Sequence, residues 1–240
     1  MLTLPVSTTG EPYPVTPSKI ICMGLNYRDH VAEHDKIGAP GFTAQIPTEP
    51  VLFPKTPNTL IGPDQPIVIP KFIYECGFEK VETHYEAELA MFVKDRCKNV
   101  GVAQAYHHIF GFTCANDVSQ RNIQRGDKSG WFRGKSLDTF CPVGPRVVPI
   151  EAIGDPQALV LQCRLNGAVV QKTSTASMIF SLAEIFAFVS RSFTLEAGDL
   201  ILTGTPGGIG EIRHGDSVEV DIEGIGVLRN PVLDERFLAG

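Results

Sequence analysis

The chain has 240 residues, 43% hydrophobic and 20% charged, with 21 Lys plus Arg against 27 Asp plus Glu and a formal charge of −6. That apolar fraction can offset chain entropy, which excludes a disordered protein. A negative balance without a Lys/Arg run lacks the basic footprint that nucleic acid or an anionic membrane surface requires.

The first ten residues carry neither a basic residue nor a long apolar run, so the layout of a secretory signal is missing. No stretch approaches the ~18 apolar residues that cross a bilayer. Cys22, Cys76, Cys97, Cys114, Cys141 and Cys163 are spread without a C-x-x-C pair. In a chain this long they read as reduced, mostly buried thiols of a cytoplasmic protein. The 23 glycines and 18 prolines exceed the ordinary combined usage of about 12% and favour many turns over a helical bundle.

In chain order, residues 19–25 (KIICMGL) form an apolar run that predicts a buried strand. Residues 26–35 are polar and suit a short helix. Eight prolines between Pro40 and Pro70 leave room only for short strands at 51–53 and 67–69. Residues 82–94 (ETHYEAELAMFVK) alternate and then become continuously apolar, as a strand entering a core does. Residues 102–108 read as helical, 109–115 as a strand and 126–134 as a polar, glycine-bearing loop. A hairpin is expected over 157–171, because Asn166-Gly167 supplies the two positive φ values of a type I′ turn. Ile179, Leu182, Ala183, Phe186 and Val189 recur at helical spacing. Strands resume at 200–203, 217–222 and 226–228. The class is α+β with a large mixed sheet and few helices.

Several constellations can carry chemistry. Glu86 and Glu88, two apart on the expected strand, share a face. Two carboxylates aimed into a core repel unless a cation or a shared proton compensates them; a solvated strand edge is the plainer alternative. His84 extends the same face and suits a partner of the carboxylates better than a ligand, since all-oxygen ligation suits hard cations. Asp117 follows an apolar strand, where it is a turn residue, a helix cap or a third ligand. With Glu86 and Glu88 it would make the oxygen-rich shell that Mg²⁺ or Mn²⁺ prefers. His30 and Glu33 stand three apart in the short helical segment, so the carboxylate can orient the imidazole to take a proton from water, although a surface pair looks the same in sequence. His34 follows directly. Lys135, in the G-K-S that follows Trp131, is either an oxyanion stabiliser or solvated. The run 202–209 (LTGTPGGI) is a strand entering a glycine turn, whose amides at Gly204 and hydroxyl at Thr205 suit a carboxylate. Dinucleotide and Walker patterns are absent, which argues against a nucleotide cofactor.

Taken together, GLNYRDHVAEH (24–34), HYEAELA (84–90), NDVSQRNIQ (116–124), GKSLDTFCPVGP (134–145), NG...Q (166–171) and GDLILTGTPGGIG (198–210) resemble the fumarylacetoacetate hydrolase family over residues 19–228. The resemblance is to its compact, acylpyruvase-like and oxaloacetate decarboxylase-like branch. It implies a mixed β-roll, a homodimer, residues 1–18 as a short N-terminal segment and 19–240 as the catalytic domain. It further implies Glu86, Glu88 and Asp117 as ligands of Mg²⁺ or Mn²⁺, Lys135 as the charge-stabilising lysine, and His30 with Glu33 as a water-activating dyad on a lid. Gln124 and Thr205 match positions that contact substrate oxygens. Gln120 and Asn122 depart from the Ala and Asp of many relatives. The implied reaction is Mg²⁺-dependent hydrolysis of a C–C bond in acylpyruvate-type 2,4-dioxo acids, fumarylpyruvate among them. Oxaloacetate decarboxylation and tautomerisation or isomerisation of an oxo diacid are the alternatives, with a non-catalytic metal-binding protein behind them.

Overall fold

A computed structural model describes residues 1–33, 38, 45–128 and 130–238. His34 and Pro40 lie outside the described residues, as does the end of the helical segment expected over 26–35.

The strands are, in chain order, β1 (Thr3–Pro5), β2 (Pro12–Pro14), β3 (Ile20–Gly24), β4 (Val51–Lys55), β5 (Leu60–Ile61), β6 (Ile67–Ile69), β7 (Thr83–Tyr85), β8 (Ala87–Val93), β9 (Ile109–Asn116), β10 (Ser119–Gln120), β11 (Cys141–Pro149), β12 (Val160–Leu165), β13 (Ala168–Ser174), β14 (Leu200–Leu202), β15 (Gly210–Glu211), β16 (Ser217–Ile222) and β17 (Gly226–Asp234). A seven-stranded sheet runs β4-β3-β14-β8-β9-β11-β5 and a five-stranded one runs β13-β12-β16-β17-β6. Both are mixed: β14 is parallel to β3, β11 to β5 and β17 to β6, and the other pairs are antiparallel. This is the expected α+β class with a large curled mixed sheet.

The period of two assigns the apolar runs. Ile21, Met23, Leu89 and Met91 face a core shared with Leu161, Val218, Val220 and Leu228 of the second sheet. Their neighbours Ile20, Cys22, Ala90 and Phe92 face the other side, with Leu4 and Val15 of the N-terminal hairpin. A sheet covered on both faces reads as continuous apolar sequence, which is why these strands are legible. The longest helix among the described residues, Leu182–Ser192, starts where Ser181 and Glu184 form a capping box. It buries Leu182, Ile185, Phe186 and Val189. Asn166 and Gly167 have φ of 53° and 83°, as the hairpin requires. Residues 102–108 form a 3₁₀ turn. None of the described helices is long and apolar enough to cross a membrane.

Two expectations are corrected. The strand expected over 82–94 breaks at Glu86: β7 belongs to a three-stranded sheet with β10 and β15, and β8 to the seven-stranded one. The Asn116 side chain takes the Glu86 N–H at 2.9 Å and the Asp117 N–H reaches the Glu86 carbonyl at 2.8 Å, so the chain changes sheets with its backbone satisfied. The loop expected over 126–134 is helical at both ends, in Arg121–Gly126 and Phe132–Lys135. Here Trp131 packs its ring edge-on against Phe53, 5.4 Å between centroids, and fixes the short second helix. Of the six free cysteines five are buried, and Cys76 is exposed.

Candidate active site

The site lies at one end of the seven-stranded sheet, where β3, β14 and β9 finish and β8 begins. Glu86 sits in the break between β7 and β8, Glu88 on β8, and Asp117 directly after β9. All three are buried, and a carboxylate oxygen of each lies within 4.8 Å of the others. The Glu-x-Glu pair therefore converges despite the break in the strand.

Three buried cations surround the cluster. The Lys135 ammonium, at the end of the short helix, donates to Glu86 Oε2 at 2.6 Å and Asp117 Oδ2 at 2.5 Å. Lys55, at the end of β4, donates to Asp117 Oδ1 at 2.7 Å and the Val118 carbonyl at 3.2 Å. Arg121 donates to Glu86 Oε1, to Gln124 Oε1 at 2.8 Å and to His84 Nδ1 at 3.2 Å. Glu88 differs. Among the described residues its carboxylate has a single hydrogen bond, from the Gly204 backbone N–H at 2.7 Å, and no ion pair.

The electrostatics follow from this division. Burial pushes Glu86 up, but Lys135, Arg121 and His30 outweigh it and hold the carboxyl well below the usual range. Burial raises Glu88 far above that range, and the charges of Asp117 and Glu86 add to it. For Lys135, burial favours the neutral amine, yet Asp117 and Glu86 keep the pKa raised. His84 is pushed down to about 4 by burial and then by Arg121, so it is neutral and accepts from the guanidinium. It orients Arg121, which in turn holds Glu86 and Gln124.

His30 closes the site from the α-helical turn Arg28–Val31, with Nδ1 3.4 Å from Glu33 Oε2. Glu33 Oε1 accepts from Gly208 N–H at 3.1 Å. The turn after β14 requires its glycines: Gly204 and Gly208 both have φ of +95°, and a Cβ would lie 2.7 Å from Asn26 Cβ at the first and 2.3 Å from the Val170 carbonyl oxygen at the second. Thr205 is buried and accepts from Gln171 at 2.9 Å. Gln124 is fully buried, and its Nε2 has no hydrogen-bond partner among the described residues. Gln120 and Asn122 serve the loop itself: Gln120 Oε1 caps the helix at Ile123 N–H, and Asn122 joins Glu82 and Lys80. All ten sequence candidates thus gather in one region. Lys55 and Arg121 escape a reading by motif. The available signal for Lys55 was its place two residues after Phe53, which puts a lysine on an inward strand face.

A cluster of buried carboxylates and cations at the mouth of a curled mixed sheet, flanked by a His-Glu pair and a glycine turn, is an enzyme's architecture. The chain belongs to the fumarylacetoacetate hydrolase family: residues 19–233 match the model described as fumarylacetoacetate (FAA) hydrolase C-terminal. Oxaloacetate tautomerase FAHD2A of Bos taurus is 38% identical over 239 residues, covering 96% of this chain and 71% of the relative. The structure of 5-carboxymethyl-2-hydroxymuconate delta-isomerase from Mycobacterium smegmatis is similar with a TM-score of 0.79 and 36% identity, over 94% of this chain and 86% of that one. That of fumarylpyruvate hydrolase from Pseudomonas aeruginosa, in complex with Mn²⁺ and pyruvate, is similar with a TM-score of 0.83 and 26% identity, over 97% and 95%.

Proposed function

We propose that this chain is a divalent-metal-dependent enzyme that hydrolyses a C–C bond in acylpyruvate-type 2,4-dioxo acids, the fumarylpyruvate and acylpyruvate class. The observation that carries the reading is Glu88, a buried carboxylate beside two others with no cation partner among the described residues. A bare charge in that position is costly, and an ion shared with Glu86 and Asp117 offsets it. An all-oxygen donor set suits Mg²⁺ or Mn²⁺. The bound ion would act as a Lewis acid, polarising the 2-oxo acid and offsetting enolate charge.

The chain's own groups supply the rest. Glu33 accepts from His30 Nδ1–H, which leaves Nε2 as the basic nitrogen that takes a proton from water. The water oxygen bonds to the distal carbonyl carbon, and Lys135 stabilises the resulting oxyanion. The C–C bond then breaks, releasing a carboxylic acid and the enolate of pyruvate, which takes up a proton. Gln124 Nε2, buried with no partner among the described residues, would donate to a substrate oxygen. The Gly204 N–H is already given to Glu88, so in the turn after β14 it is the Thr205 hydroxyl that would donate to the carboxylate. In this reading residues 19–240 act as the catalytic domain of a cytoplasmic homodimer, and sedimentation of the purified chain tests the dimer.

A second reading keeps the proton transfer and omits water: tautomerisation of an oxo diacid such as oxaloacetate. The tautomerase at 38% identity favours it over the hydrolase at 26%, while the His30–Glu33 pairing favours hydrolysis. Acetylpyruvate, fumarylpyruvate and oxaloacetate, each incubated with the protein and Mg²⁺ or Mn²⁺, separate the two. Release of pyruvate with a second acid supports hydrolysis. Loss of enol absorbance from oxaloacetate without release of acid or CO₂ supports tautomerisation, and CO₂ release marks decarboxylation. Turnover undiminished in chelator contradicts both metal-dependent readings.

A further inference from the structure

The other end of the β8–β9 hairpin carries a second convergent set of donors that the catalytic reading does not use. Asp95 and Cys97 follow β8, and His108 immediately precedes β9. Their oxygen, sulfur and nitrogen atoms all lie within 4.8 Å of one another. Asp95 Oδ1 and His108 Nδ1 are 2.6 Å apart. The backbone under Cys97 and His108 is held: Cys97 exchanges two hydrogen bonds with Leu195, at 3.0 and 2.9 Å, and the His108 carbonyl accepts from Lys94 N–H, next to Asp95, at 2.8 Å. The imidazole stacks on Phe186 with an interplanar angle of 15°. Donors on a braced backbone, with one ring already oriented, lose little freedom on binding an ion.

We propose that Asp95, Cys97 and His108 form a second metal site, for a borderline-soft divalent ion of the zinc type. A thiolate, an imidazole and a carboxylate together select such an ion over Mg²⁺, which prefers oxygen and keeps its water. Zinc-ligand bonds of about 2.0–2.3 Å place donor atoms roughly 3.5 Å apart. On binding, the ion therefore displaces to solvent the proton between Asp95 and His108 and the Cys97 thiol proton. Asp95 and His108 move apart from their 2.6 Å contact, and the Cys97 sulfur moves inward. Water completes four-coordination. The ion would clip the turn that leaves β8 to the start of β9. Burial and then the carboxylates of Asp95, Asp199 and Glu196 push the Cys97 thiol up to about 11, so it is no ready nucleophile, and binding of the ion must itself release the thiol proton.

Cobalt distinguishes this site from the catalytic one, because the carboxylate cluster offers no sulfur. Titrating the full chain with Co²⁺ should produce a near-ultraviolet sulfur-to-cobalt charge-transfer band that saturates at about one ion per chain and is bleached by Zn²⁺. Cys97→Ser should abolish the band. His108→Gln, partly exposed and so tolerant of replacement, should weaken Co²⁺ binding by at least about tenfold, since even an outer partner of a metal ligand is worth 10–100-fold. Cys76→Ser, which removes the exposed thiol, should leave the band intact, and circular dichroism reports that each variant is folded. Absence of the band overturns the proposal, as does its survival in Cys97→Ser, its loss in Cys76→Ser, or unweakened binding in His108→Gln.

Discussion

Glu88 shows how one side chain separates stability from function. It is buried beside two carboxylates and among the described residues receives only the Gly204 N–H, so without an ion its charge is a liability. Glu88→Gln should therefore raise the stability of the chelator-treated protein by roughly 1–3 kcal/mol while abolishing metal-dependent turnover. Urea unfolding in chelator and a steady-state assay check the two halves; a variant less stable than the parent would contradict the account. Gly204→Ala tests the donor. At φ +95°, with its Cβ 2.7 Å from that of Asn26, alanine must rotate the peptide that carries the N–H. A loss of about 1–3 kcal/mol with a fall in kcat larger than the change in KM is expected. Motif spacing could name Glu86, Glu88 and Asp117, but it could not divide them. Which carboxylate owns a cation depends on Lys55 and Arg121, which reach the cluster from 62 and 35 residues away along the chain.

At the scale of elements, the site depends on β3 and β14 lying side by side, since their far ends carry His30 and the glycine turn. Asp199 sets that pairing from the near end. Its Oδ1 accepts from Ser18 N–H at 3.0 Å, Ser18 Oγ at 2.7 Å and Lys19 N–H at 3.1 Å, and its Oδ2 from Lys19 Nζ at 2.5 Å and Glu196 N–H at 2.8 Å. Burial alone would raise the carboxyl, but the hydrogen bonds from Glu196, Lys19 and Ser18 outweigh it and lower the pKa. A depressed acid stabilises the fold above its unfolded pKa and loses that contribution as pH falls through the folded one. Asp199→Asn should thus cost roughly 2–3 kcal/mol at neutral pH, with the gap to the parent closing only below about pH 4. Urea midpoints of both proteins across that range measure it, and a gap constant with pH would exclude the charge as its source. Elements themselves were legible in proportion to their burial. The two-sided strands β3, β8 and β9 announce themselves as apolar runs, whereas β11 hides behind Pro142, Pro145 and Pro149 and is accommodated by a register shift between Gly144 and Val148. The break at Glu86 is written in no local pattern, because the Asn116 side chain that makes it comes from another strand.

Over the whole molecule, the carboxylate cluster ties together segments that fold far apart in sequence: Glu86 and Glu88 on the β7–β8 chain, Asp117 after β9, Lys55 at the end of β4 and Lys135 on its short helix. An ion held by the three carboxylates, as proposed, would bind only when all of these have assembled, so it would act on the native state alone and shift unfolding by mass action. At a free concentration 100 times Kd the gain is about 2.7 kcal/mol. For a domain of this size each kcal/mol moves Tm by roughly 2–4 °C, which predicts a rise of about 5–10 °C when Mg²⁺ or Mn²⁺ replaces chelator. Calorimetry on the parent and on Asp117→Asn tests the origin of the shift. The variant leaves Lys55 and Lys135 short of a carboxylate and should be less stable in chelator. It should also lose most of the metal-induced rise, because one of three ligands has become a weak neutral donor. An equal rise in both proteins would place the stabilising ion elsewhere, and no rise in the parent would show that the three carboxylates hold none.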